Sequence, residues 1–304
     1  MHGPVAAGGI DLTVDKSRMR IVSCSDNPVP PLRQVFSDDN LWEHLRQEAE
    51  DALANEPVLA NLLLTAVLDR RSFEEAVIYR IGLRLADNTV SAQLVIDRFT
   101  RALESDPSIG TAFRADIAAV VERDPACARL IEPLLYFKGF HAIETHRLAH
   151  WLWCNGQRDL ALYMQSRSSN LFQTDINPAA RIGRGVFLDH ATGLVVGATA
   201  VIEDNVSILQ NVTLGGTGKE AGDRHPKIRQ GVMIGAGAKI LGNIEIGACS
   251  RIAAGSVVIH PVPANSTVAG VPAKIVGTAG CMEPARDMNQ ILSQLAYDSF
   301  SYTI

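Results

Sequence analysis

Apolar residues recur every six positions over a long stretch of the chain, from Ile176 to Val258. This period fits neither the 3.6-residue repeat of an α-helix nor the two-residue alternation of a half-buried strand. It is typical of a parallel β-helix, in which each hexad is one short strand with a turn and three hexads make an 18-residue coil. Twelve of the thirteen repeated positions are Val, Ile or Leu, which predicts an inward apolar column. The column comprises Ile176, Ile182, Leu188, Leu194, Ala200, Val206, Val212, Ile228, Ile234, Ile240, Ile246, Ile252 and Val258.

The repeat is interrupted once, between Val212 and Ile228, where the spacing exceeds two hexads by four positions. The inserted segment, residues 215–226, is rich in glycine and charged residues and contains His225. A β-helix has no structural need for such an excursion, so we predict a functional loop here.

The chain before the repeat has helical patterns. Ser37, followed by two aspartates, predicts an N-cap, and Leu41, Leu45, Ala49 and Ala52 then form one apolar face. Further helices are predicted from Pro57 to Leu68, from a Ser72/Glu75 capping box to about Ala86, and over 90–104, 108–122, 139–154 and 157–173. Their apolar faces indicate a bundle, and such bundles often serve assembly.

These patterns predict an α+β chain in four segments. A flexible leader would cover residues 1–36, and an α-helical assembly domain 37–174. A parallel β-helix with the inserted loop would cover 175–277, and a C-terminal tail 278–304.

Composition narrows the range of functions. The 304 residues are 47% hydrophobic and 20% charged, with a net charge of −5, which argues against nucleic acid as the main partner. No apolar run approaches the ~20 residues that span a membrane, and no signal-peptide core is evident. Five scattered cysteines show neither metal-ligand spacing nor a disulfide framework, so we expect a cytoplasmic protein.

His190 is the first candidate for chemistry. It follows the column residue Leu188 by two positions, which predicts an outward side chain, and Asp189 is adjacent. A neutral imidazole, with an ordinary pKa near ~6.5, can take a proton from an attacking alcohol. Asp175, slightly less than one coil earlier in the chain, is the leading candidate to orient that imidazole. Direct contact does not follow from the spacing, and a solvated surface histidine and an aspartate that caps the Asn-Pro turn are the alternatives.

The inserted loop offers a second set of groups. Arg224 could bind a carboxylate in bidentate fashion, and His225 supplies another imidazole. A loop of exposed charges without a ligand is the alternative. His146 and His150 lie four residues apart on a predicted helix, but no third zinc ligand is evident.

Several runs of residues together resemble the serine O-acetyltransferase family. They are Leu134-Leu-Tyr-Phe-Lys-Gly-Phe140, Asp175-Ile-Asn-Pro178, Leu188-Asp-His-Ala-Thr-Gly193, Val206 to Lys219, and Gly222-Asp-Arg-His-Pro-Lys-Ile228. The resemblance covers about residues 37–277. It implies a left-handed parallel β-helix preceded by a helical domain, assembled as a homotrimer or a dimer of trimers. It also implies acetyl transfer from acetyl-CoA to the L-serine hydroxyl for cysteine biosynthesis, with L-cysteine as a feedback inhibitor.

The resemblance also implies roles for individual residues. His190 would be the general base and Asp175 its partner. Asp124, Asp189, Arg224 and His225 would hold serine, or cysteine as inhibitor. Acetyl-CoA would lie near Gly216, Ala236 and Lys274, and no metal is required. The C-terminal Ile304 would insert into O-acetylserine sulfhydrylase, although a disordered end is the alternative.

Three other functions compete with this interpretation. One is an acyltransferase of the same fold that acts on a sugar, homoserine or another amine. Another is a non-catalytic scaffold for the sulfhydrylase. The third is a β-helical carbonic anhydrase, whose three zinc histidines would have to come from His190, His225 and His260 at unsuitable spacing.

Overall fold

The first half of the structure is helical, as predicted. The protein is described here by a computed structural model that covers residues 40–218 and 221–292. The helices are α1 (Leu41–Asn55), α2 (Ala60–Leu63), α3 (Phe73–Leu85), α4 (Ala92–Ser105), α5 (Ser108–Arg123), α6 (Ile131–Leu135), α7 (Lys138–Cys154), α8 (Arg158–Phe172) and α9 (Pro284–Asp287). Pro57–Leu59 forms a 3₁₀ turn before α2, and Leu64–Leu68 forms a π-helical turn after it.

Local signals account for several helix ends. The Ser72 hydroxyl caps α3 by accepting from the Glu75 amide at 3.2 Å, as the capping pattern predicts. The predicted cap at Ser37 lies outside the described residues, and α1 follows Asn40, whose side chain makes no capping hydrogen bond. Neither α6 nor α9 was predicted, because each is only one turn long and carries no periodic pattern.

The helices bury a common core of aromatic and aliphatic side chains. Its largest members are Phe73, Phe99, Phe113, Phe140 and Phe172, all 2% exposed or less. Two of these rings, Phe99 and Phe113, meet edge to face at 6.2 Å between centroids, a favourable aromatic geometry. Phe187, from the second half of the chain, also belongs to this core and is 2% exposed.

The second half forms the predicted parallel β-helix of about five coils. Three sheets make its faces, which we name A, B and C. Sheet A contains β1 (Thr174–Ile176), β4 (Leu194–Val196), β7 (Thr213–Gly215), β10 (Lys239–Leu241) and β13 (Val257–Val258). Sheet B contains β2 (Arg181–Ile182), β5 (Val201–Ile202), β8 (Lys227–Ile228) and β11 (Glu245–Ile246). Sheet C contains β3 (Phe187–Leu188), β6 (Ser207–Ile208), β9 (Met233–Ile234), β12 (Arg251–Ile252), β14 (Ser266–Gly270) and β15 (Ala273–Thr278).

The pairing of the strands corrects the predicted column. Ile176 pairs with Val196, and Val196 pairs in turn with Leu214. The second of these coils has the regular length of three hexads, whereas the first is longer by two residues. The two extra residues lie between Leu188 and Val196. The prediction of an unbroken column from Ile176 to Val212 was therefore wrong at this point. The next coil, from Leu214 to Ile240, contains the inserted loop, and its excess over a regular coil is eight residues rather than the predicted four.

The slip escaped the sequence pattern because each hexad has two inward positions. Leu194 and Val196 are two residues apart and are 1% and 2% exposed, so both are inward positions of one hexad. Counting in steps of six from Leu188 therefore reached Leu194 instead of Val196, and an apolar residue stood there as well. The apolar character of the column is otherwise confirmed. Each member is buried except Ile182, which is partly buried against the same core.

The last coil ends in a hairpin that the sequence did not predict. β14 continues sheet C parallel to β12, and β15 then turns back antiparallel to β14. The prolines after Val258 end the six-residue repeat, as predicted, but they do not end the sheet.

A buried charged cluster joins the helices to the first coil. Arg147 of α7 donates to Asp116 of α5 and, at 2.9 Å, to the Gly183 carbonyl. Asp116 also accepts from the Val186 amide at 2.8 Å. The fully buried Glu144 completes the cluster, with its carboxyl group 3.1 Å from Arg147 Nε.

The described helices and strands form one compact unit, so a division at residue 174 stays a prediction. Among the described residues, no single helix has the length and apolarity to cross a membrane. One pair, Leu41–Asn55 with Pro57–Leu68, meets that test only jointly, across a bend of 119°.

Candidate active site

His190 lies on the corner that contains the two extra residues. This corner connects sheet C to sheet A, between β3 and β4, and the His190 side chain is 74% exposed. His190 and Ala191 both have left-handed backbone angles, with φ of 53° and 59°. In the next three coils, the same corner has a single residue with a left-handed backbone, which is Asn211, Gly237 and Gly255 in turn. The predicted outward position of His190 is confirmed, on a turn that is costly for residues other than glycine.

Two carboxylates lie beside this turn. Asp189 Oδ1 is 3.8 Å from His190 Nε2, and its side chain is 22% exposed. Partial burial raises the pKa of Asp189, the His190 imidazole opposes that rise, and the negative charge of Asp124 adds to it. Asp124 lies at the end of α5, where its side chain accepts from the Ala126 amide at 2.9 Å. Two acids within each other's field suit a cationic ligand such as an ammonium group.

Asp175 lies on β1, on the outward side of sheet A. Its Oδ1 accepts from Gln165 Nε2 at 2.6 Å. Within the described part of the chain, no hydrogen bond or ion pair joins Asp175 to His190. Asp175 pairs in register with Val195, just past the His190 turn, so its role as an orienting partner stays a prediction.

His225 is held rigidly at the end of the inserted loop. The ring is buried, with the residue 6% exposed, and its Nδ1 accepts from the Thr199 amide at 3.2 Å and pairs with the Thr199 hydroxyl at 2.8 Å. A Cβ on Gly197 would lie 1.9 Å from the ring, so only glycine admits it. Because Nδ1 is an acceptor, the neutral ring carries its proton on Nε2. Burial, followed by Arg224 and Lys227, lowers the pKa of His225, which keeps it a neutral donor.

Neighbouring residues fix the end of the loop. Lys227 Nζ donates to Asp223 at 2.5 Å, to the Thr199 carbonyl at 2.8 Å and to the His225 carbonyl at 2.7 Å. Arg224 donates its amide to the Thr199 hydroxyl at 3.0 Å, and the residue is exposed. The loop therefore has a defined end that presents Arg224 next to His225. No sequence signal had singled out Thr199 or Gly197.

His190 and His225 are not brought together within one chain. The His190 corner joins sheet C to sheet A, whereas the His225 corner joins sheet A to sheet B. The two histidines therefore lie at opposite ends of the strands of sheet A. Asp124 and Asp189 lie on the His190 side, and Arg224 lies on the His225 side.

The three residues predicted to contact acetyl-CoA are spread along the β-helix. Gly216 starts the inserted loop, where an added Cβ would lie 3.2 Å from the Arg224 side chain. Ala236 lies on the His190 corner two coils later, about 10 Å along the axis. Lys274 is exposed on β15, at the end of sheet C. Their role stays a prediction, and Ile304 lies outside the described residues.

A cavity of about 770 Å³ lies elsewhere, between α5, α7 and the first coil. It contains none of the predicted site residues, but His146 and His150 line it. His150 Nδ1 pairs with the Pro178 carbonyl at 2.8 Å, which occupies one ring nitrogen. In residues 40–218 and 221–292, no group of three or more histidine, cysteine or acidic side chains could hold a metal.

Comparison with known proteins agrees with this geometry. Residues 41–145 match the family profile described as serine acetyltransferase, N-terminal, and residues 225–260 match bacterial transferase hexapeptide (six repeats). The serine acetyltransferase of Salmonella typhimurium is 50% identical over 86% of this chain and 96% of its own length.

Solved structures are equally similar. A serine acetyltransferase from Brucella abortus in complex with coenzyme A is 62% identical, with a TM-score of 0.79, and the match covers 80% of this chain and 97% of that one. A serine acetyltransferase in complex with cysteine is 50% identical, with a TM-score of 0.82, over 84% of this chain and 100% of that one. The chain belongs to the serine acetyltransferase family.

Proposed function

We propose that this chain transfers the acetyl group of acetyl-CoA to the hydroxyl of L-serine, with His190 as general base. The observation that carries the proposal is the outward imidazole on an enlarged corner, beside Asp189, in a member of this family. Serine's hydroxyl is a weak nucleophile, and a positioned base contributes roughly 10²- to 10⁴-fold in rate. The base takes the hydroxyl proton as the serine oxygen attacks the thioester carbonyl, and the CoA thiolate leaves.

The surrounding charges fit an amino-acid substrate. Asp124 and Asp189 would attract the serine ammonium group, and Asp175 would orient His190. Arg224 and the Nε2–H of His225 would bind the serine carboxylate through charge-assisted hydrogen bonds. The rigid Thr199 contacts support this role for His225, because they fix the tautomer that donates.

Acetyl-CoA is the proposed acetyl donor. The Brucella abortus relative was solved with coenzyme A, which supports a CoA site in this chain. We place its arm in a groove between neighbouring chains, against Gly216 on the His225 corner of one chain and Ala236 on the His190 corner of the other, with Lys274 near the nucleotide end. A thioester already has a good leaving group, so this reaction needs no metal.

Cysteine is the proposed feedback inhibitor. One relative was solved with cysteine bound. Cysteine differs from serine only in carrying a thiol in place of the hydroxyl, so the same ammonium and carboxylate contacts would hold it. Inhibition would then be competitive with serine, and the enzyme would serve cysteine biosynthesis.

A homotrimer would complete the site. Because His190 and His225 lie on different corners of one chain, they can meet only between neighbouring chains. A three-fold arrangement that turns sheet A towards the axis would place the His190 corner of one chain beside the His225 corner of the next. Pairs of trimers would then form through the helices.

Two further features belong to the same proposal. Ile304 would bind O-acetylserine sulfhydrylase, because an apolar side chain with a free carboxylate mimics an amino-acid ligand. The enzyme would act in the cytoplasm. Deletion of Ile304 should abolish sulfhydrylase binding in calorimetry, and unchanged affinity would refute this role.

Steady-state kinetics test the main proposal. We expect that CoA is released from acetyl-CoA only when L-serine is present. We also expect that added L-cysteine raises the KM for serine and leaves kcat unchanged. Turnover with homoserine or an amino sugar, but not with serine, would replace the proposed acceptor. A lack of turnover with every acceptor, in a protein that binds the sulfhydrylase, would favour the scaffold instead.

A further inference from the structure

We infer that Lys138 is a positioning residue for the His190 turn, so that the start of α7 sets the direction of the catalytic imidazole. The inference rests on the proposed role of His190 as base. It concerns how a side chain that is 74% exposed can keep one orientation.

Lys138 links two turns that lie next to each other. Its ammonium group donates to the hydroxyl of Thr192 and, at 3.5 Å, to the side-chain oxygen of Gln173. Thr192 is two residues after His190, and Gln173 caps the end of α8. The backbone joins the same two turns, because the Gly193 amide donates to the Gln173 carbonyl at 2.8 Å.

The location of Lys138 is fixed by its neighbour. A Cβ on Gly139 would lie 1.9 Å from the Leu188 carbonyl oxygen, so the helix backbone touches the end of β3 at this point. Leu188 is two residues before His190. The first turn of α7 is therefore seated on one side of the His190 turn, and the Lys138 side chain reaches across to the other side.

The turn needs such support because its backbone is unfavourable. His190, Ala191 and Gln173 all have left-handed φ angles, of 53°, 59° and 59°, and none of them is glycine. Residues in this region persist only where surrounding contacts hold them. Within residues 40–218 and 221–292, the polar contact of the His190 side chain is the one with Asp189, at 3.8 Å, so the backbone of the turn is what fixes the position from which the imidazole extends.

A double-mutant cycle tests the inference in the intact oligomer. Lys138→Met removes the ammonium group, Thr192→Val removes the hydroxyl it binds, and Thr192→Ser keeps that hydroxyl. Thr65→Val, at a half-buried threonine of the π-helical turn whose hydroxyl donates to the Asn61 carbonyl, is the matched control. We would measure kcat, the KM values for serine and acetyl-CoA, and the thermal midpoint of each variant.

We expect Lys138→Met and Thr192→Val each to lower kcat roughly 10- to 100-fold, since misplacement by about 1 Å has effects of this size. Both KM values should stay within about twofold, and the double variant should be no slower than either single one. Thr192→Ser should keep at least about half of the wild-type kcat, and Thr65→Val should match wild type.

Multiplying effects in the double variant, or KM changes with kcat unchanged, would overturn the inference. So would kcat losses that follow a falling thermal midpoint, because they would indicate general destabilisation. His190→Ala separates this inference from the proposed function. If that variant is inactive while Lys138→Met is fully active, only the role of Lys138 is wrong. If His190→Ala stays active, the proposed base is wrong.

Discussion

His190 combines high exposure with an unfavourable backbone, so its removal should affect chemistry more than folding. We expect His190→Ala to lower kcat roughly 10²- to 10⁴-fold, the usual contribution of a general base. Its thermal midpoint should stay close to that of wild type, because a side chain that is 74% exposed contributes little packing. Enzyme assays with matched melting curves would check this.

His44→Ala, at an exposed histidine on α1, is the matched control and should keep wild-type kcat. If His190→Ala kept kcat, or if it lost activity only as far as it lost folded protein, the proposed base would be wrong.

His225 should act through binding instead. Its Nε2–H is fixed by Thr199, so His225→Ala should raise the KM for serine by roughly 10-fold, the cost of one lost charge-assisted hydrogen bond. The KM for acetyl-CoA should change little. His225→Gln, which places an amide donor near the same point, should recover part of the loss. A change in kcat alone would contradict a substrate-binding role.

The pH dependence of the KM for serine tests whether His225 binds as a neutral ring. Because burial and two nearby cations lower the pKa of His225, the ring should stay neutral from about pH 7 upwards. The KM effect of His225→Ala should therefore be constant between pH 7 and pH 8.5. An effect that grows as the pH falls through this range would show that His225 acts as a cation.

Several residues of the site were predictable from sequence, and others were not. His190 was predictable because it follows the column residue Leu188 by two positions and stands next to Asp189. Thr199 gave no signal, and Lys138 was noted only as part of the run Leu134 to Phe140. Their partners, His225 and Thr192, lie 26 and 54 residues away in the chain. Contacts of this kind depend on coil stacking and helix docking, which local patterns do not encode.

At the level of whole elements, the buried cluster of Asp116, Glu144 and Arg147 makes the interface between helices and coils sensitive to pH. Burial raises the pKa of both acids, that of Glu144 well above its ordinary value. Asp116 receives the hydrogen bonds from Arg147 and Val186, so Asp116 holds the charge and Glu144 stays protonated. Folding then retains a proton on Glu144 that the unfolded chain releases above about pH 4.5.

Stability should therefore fall as the pH rises from about 4.5 through the raised pKa of Glu144. Glu144→Gln should remove this slope, so its free energy of unfolding should improve relative to wild type between pH 5 and pH 8. Urea unfolding at both pH values would measure the difference, with Glu50→Gln at an exposed helical position as control. An equal loss of stability at both pH values would show that Glu144 is ionised.

Removal of the cation from the cluster should be more severe. Arg147→Met leaves the Asp116 carboxylate buried without its partner, which typically costs about 3–5 kcal/mol. Urea unfolding at pH 7 would measure this loss. An effect below about 1 kcal/mol would mean that Asp116 takes up a proton instead.

The register of the coil shows what a period alone can establish. The six-residue repeat predicted the β-helix and the place of its large insertion, because an eight-residue excess breaks the count. It missed the two-residue excess beside His190, because Leu194 and Val196 are both buried. The bounds of the longer helices followed from their apolar faces, whereas the short α6 and the β14–β15 hairpin depend on packing against other elements.

For the whole molecule, the separation of His190 and His225 makes a prediction about mixed oligomers. If each site takes one histidine from each of two chains, His190→Ala and His225→Ala chains should restore activity to each other. An equal random mixture would make about a quarter of the sites intact, because each site needs a wild-type residue from both contributors. Co-expression of the two variants at equal levels, without separation of mixed from unmixed oligomers, would provide the sample for the assay.

Activity no higher than the sum of the two separate variants would place both histidines in sites built within one chain. Chains that carry both substitutions, mixed with wild type, give the complementary control. In that mixture, too, about a quarter of the sites should contain two wild-type contributors, namely those formed between adjacent wild-type chains.

The enlarged corner at His190 is expected to affect catalysis and thermal stability in opposite directions. The apolar stack continues on both sides of it, and one residue of the corner, Ala191, is itself buried in that stack. Excision of His190 and Ala191, which would leave Asp189 followed by Thr192 as Leu209 is followed by Gln210, would restore a turn of regular length and remove the proposed base. Such a shortened chain would be an inert and more heat-resistant relative, which suggests that a new activity can arise on this scaffold by lengthening one bend while the rest of the spiral stays as it was.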